Sequence, residues 1–122
     1  MVNDVQVTLL GKVLDAAALR HKVIANNLAN ANTPGYQRRV VSFGDHLAEA
    51  LRSGDVRRLE AAGAQVVKSA DAPRRPDGNN VSAEQELADL MKNSLIYNAC
   101  TRVLSTRLAA YRAAISGDSR TS

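Results

Sequence analysis

The residues richest in chemical potential lie in one short run, Ala25–Tyr36, which reads ANNLANANTPGY. It holds Asn26, Asn27, Asn30 and Asn32 and closes on Thr33-Pro34-Gly35-Tyr36. A carboxamide donates and accepts at once. Four of them at a helix end are suited to hydrogen bonding and not to proton transfer, nucleophilic attack or metal binding. Pro34 disfavours helix at Thr33 and cannot extend a hydrogen-bond ladder, so a helix reaching this run ends near Ala31 or Asn32. Pro34-Gly35 fits the centre of a type II turn. Asn30 and Asn32 are placed to bond the freed carbonyls. Asn26 and Asn27 come one turn too early to be caps, and predict bonds to a neighbouring helix or chain.

Catalytic groups are sparse. The chain has two His residues, His21 and His46, and one Cys, Cys100. No metal-ligand spacing, Gly-rich phosphate loop or nucleophile elbow is present. The sequence therefore predicts no enzyme, no metal and no cofactor. The net charge of +4 comes from 16 basic and 12 acidic residues. The basic doublets Arg38-Arg39, Arg57-Arg58 and Arg74-Arg75 lack the aromatic stacking surface of a single-strand binder. Solubility and surface ion pairs account for the charge, and no nucleic-acid partner is expected. Cys100 excludes an intrachain disulfide and reads as a small packed side chain.

The elements that position the Asn run follow from periodicity. Val7, Leu10, Leu14, Ala17, His21, Ile24, Leu28 and Ala31 alternate steps of three and four, a heptad seam on a helix about 40 Å long. Ala83, Leu87, Leu90, Ser94, Tyr97, Thr101, Leu104, Leu108, Tyr111 and Ile115 repeat the pattern over about 50 Å. Ser82 and Gln85 make a capping box at its start, and Ser116-Gly117 marks its stop. Leu9, Val13 and Ala16 on the first helix, and Met91 and Leu95 on the second, widen the apolar surface beyond one seam. With only four aromatic residues in 122, a thick core is not available, and such helices pack on each other and on other chains.

The sequence thus predicts a mainly α protein. Its long N- and C-terminal helices pair as a coiled coil around a short irregular middle with little or no β structure. The expected divisions are 1–32, 33–81, 82–117 and a flexible tail at 118–122. In the middle, Phe43, Leu47, Ala50 and Leu51 predict a short helix ending near Ser53-Gly54. Gln65-Val66-Val67 predicts a short strand, and APRRPDGNN over 72–80 predicts a loop. The helix-packing interface is expected at Leu10, Leu14, Ala17, Ile24, Leu28, Leu87, Leu90, Tyr97, Leu104, Leu108, Tyr111 and Ile115. No apolar run reaches membrane-spanning length, and the N-terminus, with Asp4 and Asp15 among its apolar residues, does not read as a cleavable signal peptide.

The Asn run also resembles a known signature. Ala25, Asn26, Asn27, Leu28, Ala29, Asn30, Asn32, Thr33, Pro34, Gly35 and Tyr36 fit A-N-N-[IL]-A-N-x-[ND]-T-P-G-[FY] of the flagellar rod and hook protein family. Leu14–Tyr36 with Arg38 and Phe43, then Asp77-Gly78-Asn79-Asn80-Val81, Glu84-Gln85-Glu86 and Leu95-Ile96-Tyr97-Asn98, resemble its small proximal-rod members. The likeness spans about half to two thirds of the chain and leaves residues 55–72 unmatched. It implies a structural subunit of the basal-body rod in the periplasm, exported by the flagellar type III apparatus without signal cleavage. It implies terminal helices around the export channel. The implied partners are other copies of the chain, other rod proteins, and the membrane-ring and export-gate proteins at the rod base. Heptads alone would equally suit a secretion chaperone or adaptor, which has no need of the Asn-Thr-Pro-Gly-Tyr turn.

Overall fold

The computed structural model describes residues 4–43, 45–70 and 72–120, with side chains for 5–43, 45–70 and 72–117. Six elements follow in order: α1 (Asp4–Ala29), β1 (Arg39–Ser42), α2 (His46–Ser53), α3 (Val56–Ala61), β2 (Gln65–Lys68) and α4 (Ala83–Arg120). At 1.5 Å per residue, α1 is about 39 Å long and α4 about 57 Å. The two pack against each other, as the heptads predict.

Two anchors set their direction. Asn27 meets Glu86, and Asn93 donates to the Ala17 carbonyl at 2.7 Å. Residue numbers fall along α1 as they rise along α4, so the pair is antiparallel. Continuing that register, Asp4 lies level with roughly residue 109, and the last three turns of α4 project beyond it. The expected stop at Ser116-Gly117 is not realised. Gly117 does not adopt the left-handed conformation that a C′ glycine needs, and α4 runs on to Arg120. Residues 118–120 of the expected tail are thus helical. Residues 1–3, 121 and 122 lie outside the described residues.

The helices meet on stripes rotated from the apolar heptads. On α1 the buried positions are Ala16, Ala17, Val23, Ile24 and Asn27. Ala17 and Ile24 are thus buried, and Leu10, Leu14 and Leu28 are half-buried. His21, counted in the seam, is exposed instead. On α4 the inward residues are Glu86, Leu90, Asn93, Ile96, Cys100, Leu104 and Arg107. Leu87, Tyr97, Leu108, Tyr111 and Ile115 are exposed in this chain. The rotation has a physical cause: Glu86 and Asn93 are buried because each finds a partner, whereas an apolar count assigns such residues to solvent.

The middle is small but ordered. β1 and β2 form one antiparallel ribbon, with Arg39 opposite Lys68 and Ser42 opposite Gln65. Gln65-Val66-Val67 is a strand as predicted; its partner β1 was not expected. His46–Ser53 gives the predicted short helix, and Gly54 stops it at φ 67° with its N–H bonded to the Ala50 and Leu51 carbonyls. A second short helix, α3, starts at Asp55, whose carboxylate accepts from the Arg57 N–H at 2.9 Å. Leu59, Ala50 and Ala62 are buried in the region where α3 packs on α1 and α2 packs on α3.

Candidate functional site

The Asn run forms the turn that its residues dictate. The Asn30 N–H reaches the Asn26 and Asn27 carbonyls, each at 3.1 Å, and α1 ends. The Tyr36 N–H donates to the Thr33 carbonyl at 3.2 Å across Pro34-Gly35, with Gly35 at φ 75°, the geometry of a type II turn. Asn30 donates from Nδ2 to the Asn26 carbonyl at 2.8 Å and accepts from the Thr33 hydroxyl at 3.1 Å. Asn32 is exposed.

Asn27 is the centre of the site and is 1% exposed. Its Nδ2 donates to the Arg39 carbonyl at 2.9 Å and to Glu86 Oε2 at 3.2 Å. Its Oδ1 accepts from the Arg39 N–H and from the Tyr36 hydroxyl, both at 3.1 Å. The Tyr36 hydroxyl in turn accepts from Asn26 Nδ2 at 3.0 Å. One amide, with its full capacity used, ties α1 to the turn, to β1 and to α4.

A second polar segment locks onto the first. In Asp77-Gly78-Asn79-Asn80-Val81, Asp77 Oδ1 accepts from the Asn79 N–H at 3.0 Å, and Asn79 Oδ1 accepts from the Val81 N–H at 2.7 Å. These local bonds shape the loop. Asn79, fully buried, then donates to the Asn30 carbonyl at 2.9 Å and the Thr33 carbonyl at 2.8 Å. The Gly35 N–H donates to the Asp77 carbonyl at 2.8 Å. Asn80 accepts from the Arg38 N–H and donates to the Ser69 carbonyl. Arg75 spans both segments, donating to the carbonyls of Ala31 and Val81. Carbonyls of the turn that follows α1, at Asn30, Ala31 and Thr33, are thus satisfied by the loop that leads into α4.

Gly78 sits at the closest approach of the two segments. Its φ is 84°, and a Cβ there would lie 3.3 Å from Gly35 Cα. Gly78→Ala is expected to destabilise the fold by about 1–2 kcal/mol, the cost of a left-handed alanine. Gly63→Ala, which meets open space at ordinary φ, is the control. Chemical denaturation of the two variants compares them; equal midpoints contradict the close docking.

An ion cluster closes the inner side. Glu86 is fully buried. Arg38 donates through Nε to Glu86 Oε1 and through an Nη to Asp89 Oδ2 at 2.8 Å. Glu86 therefore has charge compensation from Arg38 and an amide donor from Asn27. Ser82 caps α4 by accepting from the Gln85 N–H at 3.3 Å, while Gln85 bonds Asp89 instead of completing the reciprocal box.

These groups face each other and bond within the chain, and among the described residues no cluster of three metal-ligating side chains exists. The arrangement is a polar lock joining the two long helices at one end. Of the motif residues, Asn26, Asn27, Asn30, Thr33, Gly35 and Tyr36 make it, and Ala25, Asn32 and Pro34 remain exposed on its outside. Arg38, Arg75, Asn79, Asn80, Glu86 and Asn93 were not predicted as site residues. The signal for Asn79 and Asn80 was present, a second Asn pair beside a glycine. Arg38 and Arg75 belong to doublets that charge alone assigns to the surface. No described helix is long and apolar enough to cross a membrane.

Residues 14–37, which hold the end of α1 and the turn, match the model of the family described as flagella basal body rod protein. The chain is similar to the flagellar basal body rod protein FlgB of Cereibacter sphaeroides, 33% identical with 81% of this chain and 84% of that protein covered. It is similar to FlgB of Aquifex aeolicus (strain VF5), 35% identical over 75% of this chain and 77% of that protein. FlgB of Bacillus subtilis (strain 168) is 29% identical, with 88% and 91% covered.

Proposed function

The chain belongs to the family of the flagellar basal body rod protein FlgB, and from its structural role in the rod we propose how it is delivered and how it assembles. It is a proximal-rod subunit that passes the flagellar type III export apparatus with its N-terminus uncleaved. It builds into the periplasmic part of the basal body and contributes to motility. Its partners there are other copies of itself, other rod proteins, and the membrane-ring and export-gate proteins at the rod base. Its terminal helices line the wall around the export channel.

The observation that carries this reading is the uneven burial along the helix pair. The locked end is dense with buried polar bonds. The far end of α4, from about the level of Asp4 onward, presents Leu108, Tyr111 and Ile115 to solvent. Burying such side chains is worth about 1.5–3 kcal/mol each, against roughly 4–15 kcal/mol for the freedom lost on association. One face therefore does not hold two copies together firmly, while several faces engaged at once in a tube do. The far ends of the helices become ordered on assembly, and a chain loose at both ends threads a narrow channel readily.

Hydrogen exchange of the purified chain tests the gradient. Amides at residues 24–30 and 84–93 are expected to exchange at least tenfold more slowly than those at 108–116, following local stability. Uniform protection to both ends of α4 speaks against assembly-coupled ordering. The placement is tested in isolated basal bodies: the chain should be recovered there with its N-terminal peptide intact. Its absence from them overturns the rod reading.

A further inference from the structure

We propose that the cleft between α1, β1 and α4 seats the exposed ridge of α4 from a second copy of this chain. The inference rests on the self-assembly read above and names the two surfaces that meet. The cleft has a volume of about 350 Å³, with Val23, Ile24, Val40, Val41 and Ile96 among its apolar lining. Arg20, Arg39 and Lys92 also line it. Among the described residues none of these three cations has an ion pair.

The ridge is its complement. Glu84, Leu87, Met91 and Leu95 follow at steps of three, four and four, so they share one face of α4. Leu87 is 52% exposed, and Met91 and Leu95 are each 71% exposed. The ridge is thus apolar with an acidic head; the cleft is apolar, with Arg20, Arg39 and Lys92 unpaired beside the Arg38–Glu86–Asp89 cluster that also lines it. At 100° per residue, the ridge lies on nearly the opposite face of α4 from Asp89, Asn93 and Ile96, which form the cleft wall. One copy can therefore use both surfaces at once. Such a contact is heterologous: ridge meets cleft, not ridge with ridge, and it repeats from copy to copy into a ring or a helix. That is the symmetry a tube wall needs.

Cross-linking in basal bodies tests it. In a Cys100→Ala background, Met91→Cys and Val40→Cys are combined in the full chain, and mild oxidant is applied to purified basal bodies. A ladder of covalent dimers and larger species is expected from the double variant and from neither single variant. Recovery of the chain in basal bodies with no ladder, or with Met91→Cys joined only to a different rod protein, overturns the inference and leaves the rod reading intact. Absence of the chain from basal bodies removes the rod reading itself. In a parallel arm, Arg39→Glu is expected to lower incorporation about tenfold, as a like-charge contact does, and Glu84→Arg in the same chain to restore it. No restoration also overturns the pairing.

Discussion

Asn27→Ala is expected to destabilise the chain by about 3–5 kcal/mol, more than any other single change within the Asn run. The substitution removes an amide whose every bonding position is used. It strands the Arg39 N–H and carbonyl, one Glu86 oxygen and the Tyr36 hydroxyl in a site that is 1% exposed. Water does not replace these partners without opening the junction of α1, β1 and α4. Asn27→Asp retains the size and one acceptor but turns a donor on Glu86 into a second carboxylate facing it. It is expected to cost as much as Ala. Asn32→Ala, at an exposed position of the same motif, should fall within about 0.5 kcal/mol of wild type. Urea unfolding of the purified proteins gives the ranking. An Asn27→Ala midpoint close to that of Asn32→Ala would mean that the amide lock is not what joins the helices. Rod incorporation should follow the same order, since the terminal helices must emerge paired from the lock.

Arg38→Ala carries the second large effect, about 3–5 kcal/mol, because it leaves the fully buried Glu86 carboxylate without its cation. The pair is asymmetric. Arg38 retains 19% side-chain exposure and a second carboxylate, Asp89, at 2.8 Å. Glu86→Leu therefore leaves no isolated buried charge and is expected to cost about half as much. In the double variant Arg38→Met with Glu86→Leu both charges go, and most of the stability should return, as for other buried ion pairs replaced by apolar groups. Denaturation at low and at high salt separates this from a surface pair, since burial protects it from screening. If the double variant is as unstable as Arg38→Ala, the guanidinium acts through its packing and not through its charge.

Much of this could be read before any coordinates. Pro34 dictates the end of α1, because it lacks an N–H and constrains Thr33. Gly35 supplies the positive φ of the turn, and Gly54 ends α2 for the same reason. The two long helices follow from sustained apolar repeats, and the family follows from the ANNLANANTPGY wording. These are local properties, fixed within a few residues of chain. β1 and α3 were not legible, since four strand residues and six helix residues carry too few repeats to show a period.

The junction is another matter. That Asn79 serves the carbonyls of Asn30 and Thr33, or that Arg38 belongs to Glu86, depends on groups 46 to 49 positions apart being brought together. The side-chain inventory does not contain that information. The same holds for the face by which α4 meets α1. Hydrophobic periodicity places Leu87 and Tyr97 inward and Glu86 and Asn93 outward, and the tertiary structure reverses it. A polar group can be buried wherever a partner is waiting, and only the fold determines where partners wait.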